Sequence, residues 1–258
     1  MAVHSTNILS SPKTILITGA TDGIGLALAK HYQAKQHNLI LIGRRPLSDV
    51  PLSQFTIDNY CQVDLSRTDC ADIVSWWLDA HNINHIDWLI HNAALGYHGS
   101  TEAQTTENIK TLVSVNLHAP ISLTHKLFPY ITQPNGRIVF ISSVVSSLAC
   151  PEYAVYGATK AALDGFARSL RVELQNAVQV QVIYPGATRT GMHAKSGLQK
   201  DVVDWERFPP AEDVAHKIAN AIDSKKKTAV IGAGNWLMRF GGRYLASVID
   251  QAMRRRYR

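Results

Sequence analysis

The amino-acid sequence predicts an α/β protein with a doubly wound parallel β-sheet and helices on both faces. Short, nearly continuous apolar runs recur along the 258 residues, as expected of parallel strands that are covered on both sides. Longer segments with the spacing of amphipathic helices lie between these runs. This alternation is typical of strands joined by right-handed helical crossovers. No repeat and no linker rich in Pro, Gly or Ser divides the chain, so we expect a single domain.

The order of the elements follows from these two patterns. The apolar runs predict strands at 14–18, 39–43, 60–63, 88–90, 137–141 and 178–183. The helical spacing predicts helices at 24–36, 69–80, 106–131, 155–176 and 211–223. Ligands of such a sheet bind beyond the carboxyl ends of its strands. We assign residues 1–232 to this domain and expect a substrate lid at about 189–210. Residues 233–258 form a basic amphipathic appendage and not a separate domain.

The composition excludes several classes of protein. The chain is 46% hydrophobic and 18% charged, which is ordinary for a globular protein. Its three cysteines show no CxxC spacing, so we predict a reducing compartment without a disulfide framework or a metal site. No apolar run approaches the ~20 residues that span a bilayer. The segment Met1 to Pro12 also lacks the apolar core of a signal peptide. We therefore expect a cytoplasmic protein.

The net charge of +6 is unevenly distributed. Residues 1–188 hold 12 Lys and Arg against 13 Asp and Glu, whereas residues 189–258 hold 14 against 7. A diffuse basic surface for nucleic acid is therefore excluded, and a local basic element near the carboxyl terminus is predicted.

A glycine-rich turn follows the first strand. Gly19, Gly23 and Gly25 stand between the strand 14–18 and the next helix, where backbone N–H groups can approach a pyrophosphate. The alternative is a tight turn that needs glycine only for a positive φ. The strand 39–43 ends in Arg44 and Arg45 without an acidic residue. An arginine at this point accommodates the 2′-phosphate of NADP, although two solvated surface arginines would show the same pattern.

A second group of residues suggests acid–base chemistry. Ser143 follows the strand 137–141, and Tyr156 and Lys160 share one face of the following helix. A neighbouring ammonium group favours the phenolate and lowers the pKa of a tyrosine. Such a tyrosine can donate a proton to a carbonyl oxygen or remove one from an alcohol. Ser143 could polarise the same oxygen. The Tyr-x-x-x-Lys spacing alone is common on helix surfaces, whereas its combination with the serine and the glycine turn is rare.

With these motifs in this order, the chain resembles the short-chain dehydrogenases/reductases over residues 13–232. The matching segments are TGATDGIG at 18–25, Asp64 after the third strand, HNAALG at 91–96, Asn116, Ser143, Tyr156 with Lys160, and PGATRT at 185–190. The resemblance implies a Rossmann-type fold and an NADP(H)-dependent oxidoreductase that interconverts a carbonyl and an alcohol. It also implies a homodimer or homotetramer. Some proteins of this fold bind the dinucleotide as sensors or scaffolds without turnover, which is the alternative function.

The resemblance also implies roles for single residues. Tyr156 would be the catalytic acid/base, Lys160 would lower its pKa, Ser143 would orient the substrate oxygen, and Asn116 would hold a water in a proton relay. NADP(H), favoured over NAD(H), would be bound by the following residues: Gly19, Thr21, Asp22, Gly23, Ile24, Gly25, Arg44, Arg45, Asp64, Leu65, Asn92, Ala93, Tyr156, Lys160, Pro185, Gly186, Thr188 and Thr190.

The chain departs from the family pattern at three positions. His91 and Ala94 replace the first Asn and the Gly of the usual Asn-Asn-Ala-Gly. We expect His91 to be a packing residue and Ala94 to be tolerated if its φ is negative. Asp22 stands where many NADP-using relatives carry a basic residue, which weighs against NADP. Alternatively, Asp22 points to solvent or caps the helix that begins at Gly23.

The predicted lid and the tail both contain large apolar residues. The apolar residues Met192, Val202, Val203, Trp205 and Phe208 suggest an apolar substrate, or else pack the lid onto the domain. Residues 235–254 are predicted to form one helix, which Gly241 and Gly242 would weaken or kink. Its apolar face would pack on the domain or on a partner subunit, or would lie on an anionic membrane surface.

Overall fold

A single parallel sheet organises the computed structural model, which describes residues 11–50, 53–131, 135–175, 177–192, 196–197 and 204–257. Its strands are β1 (Thr14–Thr18), β2 (Asn38–Gly43), β3 (Tyr60–Gln62), β4 (Trp88–His91), β5 (Arg137–Ile141), β6 (Gln179–Tyr184) and β7 (Thr228–Val230). They follow the order β3-β2-β1-β4-β5-β6-β7. The order reverses between β1 and β4, and a crevice opens there beyond the strand ends.

Helices cover both faces of the sheet. They are α1 (Gly23–Ala34), α2 (Cys70–Ala80), α3 (Thr106–Val113), α4 (Ala119–Leu127), α5 (Ala154–Glu173), α6 (Ala211–Asp223), α7 (Ala233–Tyr244) and α8 (Ala246–Tyr257). Neighbouring residues of β1 point to opposite faces. Ile15 and Ile17 pack with α1 and α6, whereas Leu16 packs with α2, α4 and α5. The predicted doubly wound fold is confirmed.

Two details of the domain differ from the sequence prediction. The predicted helix 106–131 is interrupted by a π-helical turn at Ser114–His118 and ends in a 3₁₀ turn at Phe128–Tyr130. The strand β7 was not predicted, because its three residues are only partly buried and form no apolar run. β7 pairs with β6 and thereby leads the chain to α7.

The tail, residues 233–258, differs more from the sequence prediction than the domain does. The prediction of one helix over 235–254 is wrong, because α7 and α8 are separate and meet at Leu245. The glycines do not cause the break. A Cβ atom on Gly242 would collide with the carbonyl oxygen of Ser147, and one on Gly241 would lie 3.4 Å from Ile249 Cδ1. Gly242 therefore permits close packing on the domain, whereas a Cβ atom on Gly241 would make an ordinary contact.

The orientation of α7 is also unexpected. Arg239, Gly241 and Gly242 are its buried residues, whereas Trp236 and Phe240 are exposed. Of the three alternatives for the apolar face, packing on the domain is therefore wrong. Within the described ranges, no helix combines the length and the apolar composition needed to cross a bilayer.

Candidate active site

A cavity of about 520 Å³ lies beyond the carboxyl ends of the central strands. Most of the residues predicted for the site line it: Gly19, Thr21, Asp22, Gly23, Ile24, Arg44, Asp64, Leu65, Asn92, Ala93, Ser143, Tyr156, Lys160, Pro185, Gly186, Thr188 and Thr190. Gly25, Arg45 and Asn116 are not part of the lining. The cavity thus brings the glycine turn and the Ser-Tyr-Lys group to one continuous space.

The glycine turn is shaped by close backbone approach. Gly19 has a φ of +67°, and a Cβ atom there would lie 2.8 Å from the Cα of Ala93. A Cβ atom on Gly25 would collide with the carbonyl oxygen of Gly19. The Thr18 hydroxyl accepts hydrogen bonds from the backbone N–H groups of Asn92 and Ala93, both at 3.0 Å. These contacts fasten the end of β4 to the turn, and Thr18 is a contributor that the sequence analysis missed.

Asp22 is the N-cap residue, directly before helix α1. Its carboxylate Oδ1 accepts a hydrogen bond from the Gly23 backbone N–H at 2.7 Å, in the extended conformation of an N-cap residue. The alternative that Asp22 caps the helix is therefore confirmed. The carboxylate is held against the helix N-terminus, where the dipole stabilises negative charge.

The two arginines after β2 behave differently. Arg44 lines the cavity. Arg45 instead donates a hydrogen bond to the Thr21 carbonyl, and its own carbonyl accepts one from the Tyr60 hydroxyl at 2.7 Å. Hydrogen bonds from Ser66 lower the pKa of Asp64, with a smaller contribution from the Arg44 charge. Arg45 therefore supports the turn, whereas Arg44 presents its charge to the cavity beside Asp64.

Ser143, Tyr156 and Lys160 line the same cavity, away from the glycine turn. Ser143 is the second residue after β5, and Tyr156 and Lys160 lie one turn apart on α5. All three side chains are buried. Burial raises the pKa of Tyr156 to about 12, although the hydrogen bond with Ser143 acts in the opposite direction. The expected lowering of this pKa by Lys160 is not present in the structure.

The position of Lys160 explains that difference. Its Nζ atom donates a hydrogen bond to the carbonyl oxygen of Ile141 at 2.9 Å and lies 5.9 Å from the centre of the Tyr156 ring. Burial lowers the pKa of Lys160 to about 8, and the nearby Asp164 carboxylate opposes this effect. The ammonium group is therefore directed to the strand and not to the phenol.

Asn116 occupies the π-helical turn, a feature that is common at functional sites. Its side-chain Oδ1 accepts from the Leu95 N–H at 2.8 Å, and Nδ2 donates to the Leu95 carbonyl at 2.9 Å and to the Thr159 hydroxyl at 3.2 Å. The side chain is fully buried. It joins the 91–96 segment to α5 from behind the cavity lining.

His91 and Ala94, where the chain departs from the Asn-Asn-Ala-Gly pattern of the family, have structural roles. The His91 ring is buried, stacks on Phe140 and contacts the Thr124 hydroxyl at 2.9 Å. Burial lowers the pKa of His91 to about 3. Ala94 lines the cavity and is not among the described residues with positive φ. Both expectations for these positions are confirmed.

An ionic group behind the Ser-Tyr-Lys end was not predicted. Asp164 accepts hydrogen bonds from the hydroxyls of Ser142 at 2.7 Å and Ser146 at 2.8 Å. It also pairs with Arg239 of α7 at 3.2 Å. The signal in the sequence is an acidic residue one helical turn after Lys160 on the same face. The arginine partner could not be foreseen, because the tail comes from a distant part of the chain.

Several apolar side chains also line the cavity. Met192 and Phe208 line it together with Val144 and Val145. Trp205 lies in a 3₁₀ turn, Trp205–Arg207. The predicted lid residues Val202 and Val203 fall outside the described residues.

Together, this strand order and a ligand crevice at its switch point define a Rossmann-type fold. Residues 13–201 match the family described as short chain dehydrogenase. The chain belongs to this family and is an oxidoreductase of the dehydrogenase/reductase type.

Individual relatives agree with this assignment. Dehydrogenase/reductase SDR family member 7B of Danio rerio is 30% identical over 240 residues, covering 85% of this chain and 77% of that protein. A short-chain dehydrogenase from Sphingobium yanoikuyae in complex with NADPH is 26% identical, with a TM-score of 0.75 over 89% of this chain and 92% of that one. A 4-hydroxyisoleucine dehydrogenase complexed with NADH is 25% identical, with a TM-score of 0.70 over 85% and 96%. Related folds therefore carry either dinucleotide.

Proposed function

We propose that the protein is an NADP(H)-dependent oxidoreductase that interconverts a carbonyl and an alcohol, with Tyr156 as the general acid/base. The observation that carries this proposal is the cavity itself. One end has the glycine turn and Arg44, and the other has Ser143, Tyr156 and Lys160. A dinucleotide and a small substrate require this combination.

The residues present fit an NADP cofactor. Gly19 and Gly25 let the turn pack tightly against Ala93 and Asn92, and Gly19 and Gly23 leave the cavity side of the turn without side chains. Backbone N–H groups at a helix N-terminus suit a pyrophosphate. Arg44 would pair with the 2′-phosphate, while Asp64 and Leu65 would meet the adenine. Pro185 to Thr190 would hold the nicotinamide. The NADPH complex of the Sphingobium relative supports the choice of NADP over NAD. Another relative binds NADH, so the family alone does not fix the dinucleotide and the choice in this chain would rest on Arg44.

The residues of this chain would manage the proton. A bound nicotinamide supplies or accepts the hydride. Tyr156 keeps its proton at neutral pH because burial raises its pKa to about 12, so it is ready to donate to a carbonyl oxygen during reduction. Ser143 would donate a hydrogen bond to the same oxygen. For alcohol oxidation, Tyr156 has to accept a proton and therefore needs a lower pKa. Lys160 would then have to release the Ile141 carbonyl and approach the phenol, because a nearby ammonium group lowers the pKa of a phenol.

The substrate is proposed to be an apolar carbonyl compound or alcohol. The space beside Tyr156 is bounded by Val145, Met192 and Phe208. Apolar walls with a few polar groups bind ligands by burial and orient them by hydrogen bonds.

The assembly and location are proposed as well. We infer a homodimer or homotetramer in the cytoplasm, with membrane contact confined to the tail. Exposed Val113 on α3 and Val172 on α5 supply apolar surface for a subunit contact. Cys61, Cys70 and Cys150 are all free thiols, which suits a reducing compartment.

The test is a panel of aldehydes, ketones and oxoacyl thioesters, assayed for oxidation of NADPH and NADH. We expect turnover of an apolar member with NADPH. Tyr156→Phe should lose about 100- to 10,000-fold in kcat and retain NADPH binding. Tyr153→Phe is the matched control, because its ring lies 6.2 Å from that of Tyr156 in the same cavity. Tight NADPH binding without turnover on the whole panel would favour the sensor or scaffold function.

A further inference from the structure

Helix α7 is amphipathic in the opposite sense to the other helices of the domain. Its buried side contains Arg239, Gly241 and Gly242. Its exposed side carries the large apolar residues Trp236, Leu237 and Phe240. Seven of the eleven large apolar side chains that are exposed among the described residues belong to the tail: Trp236, Leu237, Met238, Phe240, Tyr244, Leu245 and Val248. A concentration of this kind marks an interaction surface.

The aromatic side chains of this surface form a row. Trp236, Phe240 and Tyr244 follow each other at intervals of four residues and therefore lie on one stripe of the helix. The Trp236 and Phe240 rings stack with centroids 5.5 Å apart, and Phe240 and Tyr244 follow at 4.9 Å. These rings expose between 44% and 65% of their surface, so packing on the domain does not explain them.

The charges of the tail that follow the row along the chain are almost all positive. Arg243 follows on the flank of the stripe, and Arg254 and Arg255 are exposed on α8. The only acidic residue of the tail sequence is Asp250. Arg239 does not contribute to this exposed charge, because it is buried against Asp164. An apolar stripe with an arginine border is complementary to anionic lipid headgroups above an acyl layer.

The same charges disfavour a second copy of the chain as the occupant. A two-fold interface brings the same patch of both subunits together. Such an interface would bring together two tails that each carry Arg243, Arg254 and Arg255, with Asp250 as the single acidic residue of each tail sequence. We therefore propose that α7, with the start of α8, is a docking surface for an anionic lipid bilayer.

The contacts of α7 with the domain connect this docking surface to the cavity. Arg239 of α7 donates to the hydroxyl of Ser146 at 2.6 Å, and Asn235 packs against Gly186. Gly186 and the residues just before Ser146 line the cavity. These contacts are made by the side of α7 that faces the domain, so the bilayer would lie across α7 from this part of the cavity, about one helix diameter away. This second step rests on the proposed function, and it implies that the substrate is an apolar compound that partitions into lipid.

The docking surface can be tested without any enzymatic assay. The full chain would be sedimented with vesicles of phosphatidylcholine alone and of phosphatidylcholine with phosphatidylglycerol. We expect binding to the anionic vesicles that weakens with added salt. Trp236→Glu should weaken it by about tenfold or more, and Arg243→Glu should weaken the anionic preference. Trp76→Glu is the matched control, because Trp76 is a tryptophan on α2 with 64% exposure. Urea midpoints would verify that the variants fold.

Two outcomes would overturn the proposal. In the first, the unaltered chain binds anionic vesicles no better than neutral ones, or Trp76→Glu reduces binding as much as Trp236→Glu. In the second, no variant affects vesicle binding while Trp236→Glu dissociates an oligomer in sedimentation velocity. The second outcome would assign the surface to a second copy of the chain. Both are independent of turnover, so failure of the proposed function would not affect them.

Discussion

Arg239 of the tail and Asp164 of α5 form a largely buried ion pair at 3.2 Å. Asp164 is four residues beyond Lys160 on the same helix. Asp164 also accepts hydrogen bonds from Ser142 and Ser146, which flank Ser143. The Arg239 guanidinium lies 3.3 Å above the Tyr184 ring. The last part of the chain is therefore fastened to the support of the candidate catalytic residues.

This relationship predicts the effect of removing one partner. Arg239→Leu should lower the free energy of unfolding by about 3 kcal/mol, because a buried carboxylate loses its counter-charge. Combined with Asp164→Leu, the loss should be clearly smaller than the sum of the two single losses. Urea denaturation of the four proteins of this cycle measures the coupling. Strictly additive losses would show that the pair is not a functional unit.

Arg44 should decide the choice of dinucleotide. Arg44→Ala should weaken NADPH binding by about 10- to 100-fold, as expected for a lost charged hydrogen bond, and should leave NADH binding nearly unchanged. Arg45→Ala is the neighbouring control. Because Arg45 bonds the Thr21 carbonyl, its loss should affect both dinucleotides equally. Fluorescence titration measures both affinities, and an equal loss in Arg44→Ala would remove this residue as the phosphate ligand.

Lys160 should reduce stability at neutral pH. Burial lowers its pKa to about 8 from 10.5, so the charged form costs stability below pH 8, and the cost disappears as the pH rises to 10.5. Lys160→Met should therefore be more stable at pH 7 by about 2 kcal/mol after allowance for the lost bond to Ile141. The gain should vanish before pH 10.5 and reverse there, because the lost bond to Ile141 then remains the main difference, while turnover is lost at every pH. Urea denaturation at both pH values decides this, and a less stable variant at pH 7 would contradict it.

His91 should make the protein sensitive to acid. Burial lowers its pKa from 6.5 to about 3, so between these values the unfolded chain binds a proton that the folded chain does not. The free energy of unfolding should fall by about 1.4 kcal/mol for each pH unit below 6.5 from this residue alone. His91→Asn keeps a polar side chain at the site and does not titrate. Its unfolding curve should show a shallower pH dependence between pH 6.5 and 4, and parallel curves would refute the assignment.

The strands that the sequence predicts well are those buried on both faces. β1 and β5 have the expected bounds, because continuous apolar runs leave no alternative to a central strand. The short β7 was missed, because it is formed by pairing with β6 and not by its own composition. For the same reason, the glycines of the tail were expected to weaken or kink a helix, whereas Gly242 permits close contact with Ser147.

The sequence by itself determined the fold class, the family and many of the residues that line the cavity, because these depend on periodicity and on motifs that are local in the chain. The tertiary structure alone decided which arginine faces the cavity, in which direction the Tyr156 pKa shifts, and which side of α7 is buried. Each of these depends on groups that are distant in sequence. Arg45 is held by Thr21, Tyr156 is desolvated by its surroundings, and Arg239 finds its counter-charge in Asp164. The positive tail therefore places one charge inside the protein and presents the others on the surface.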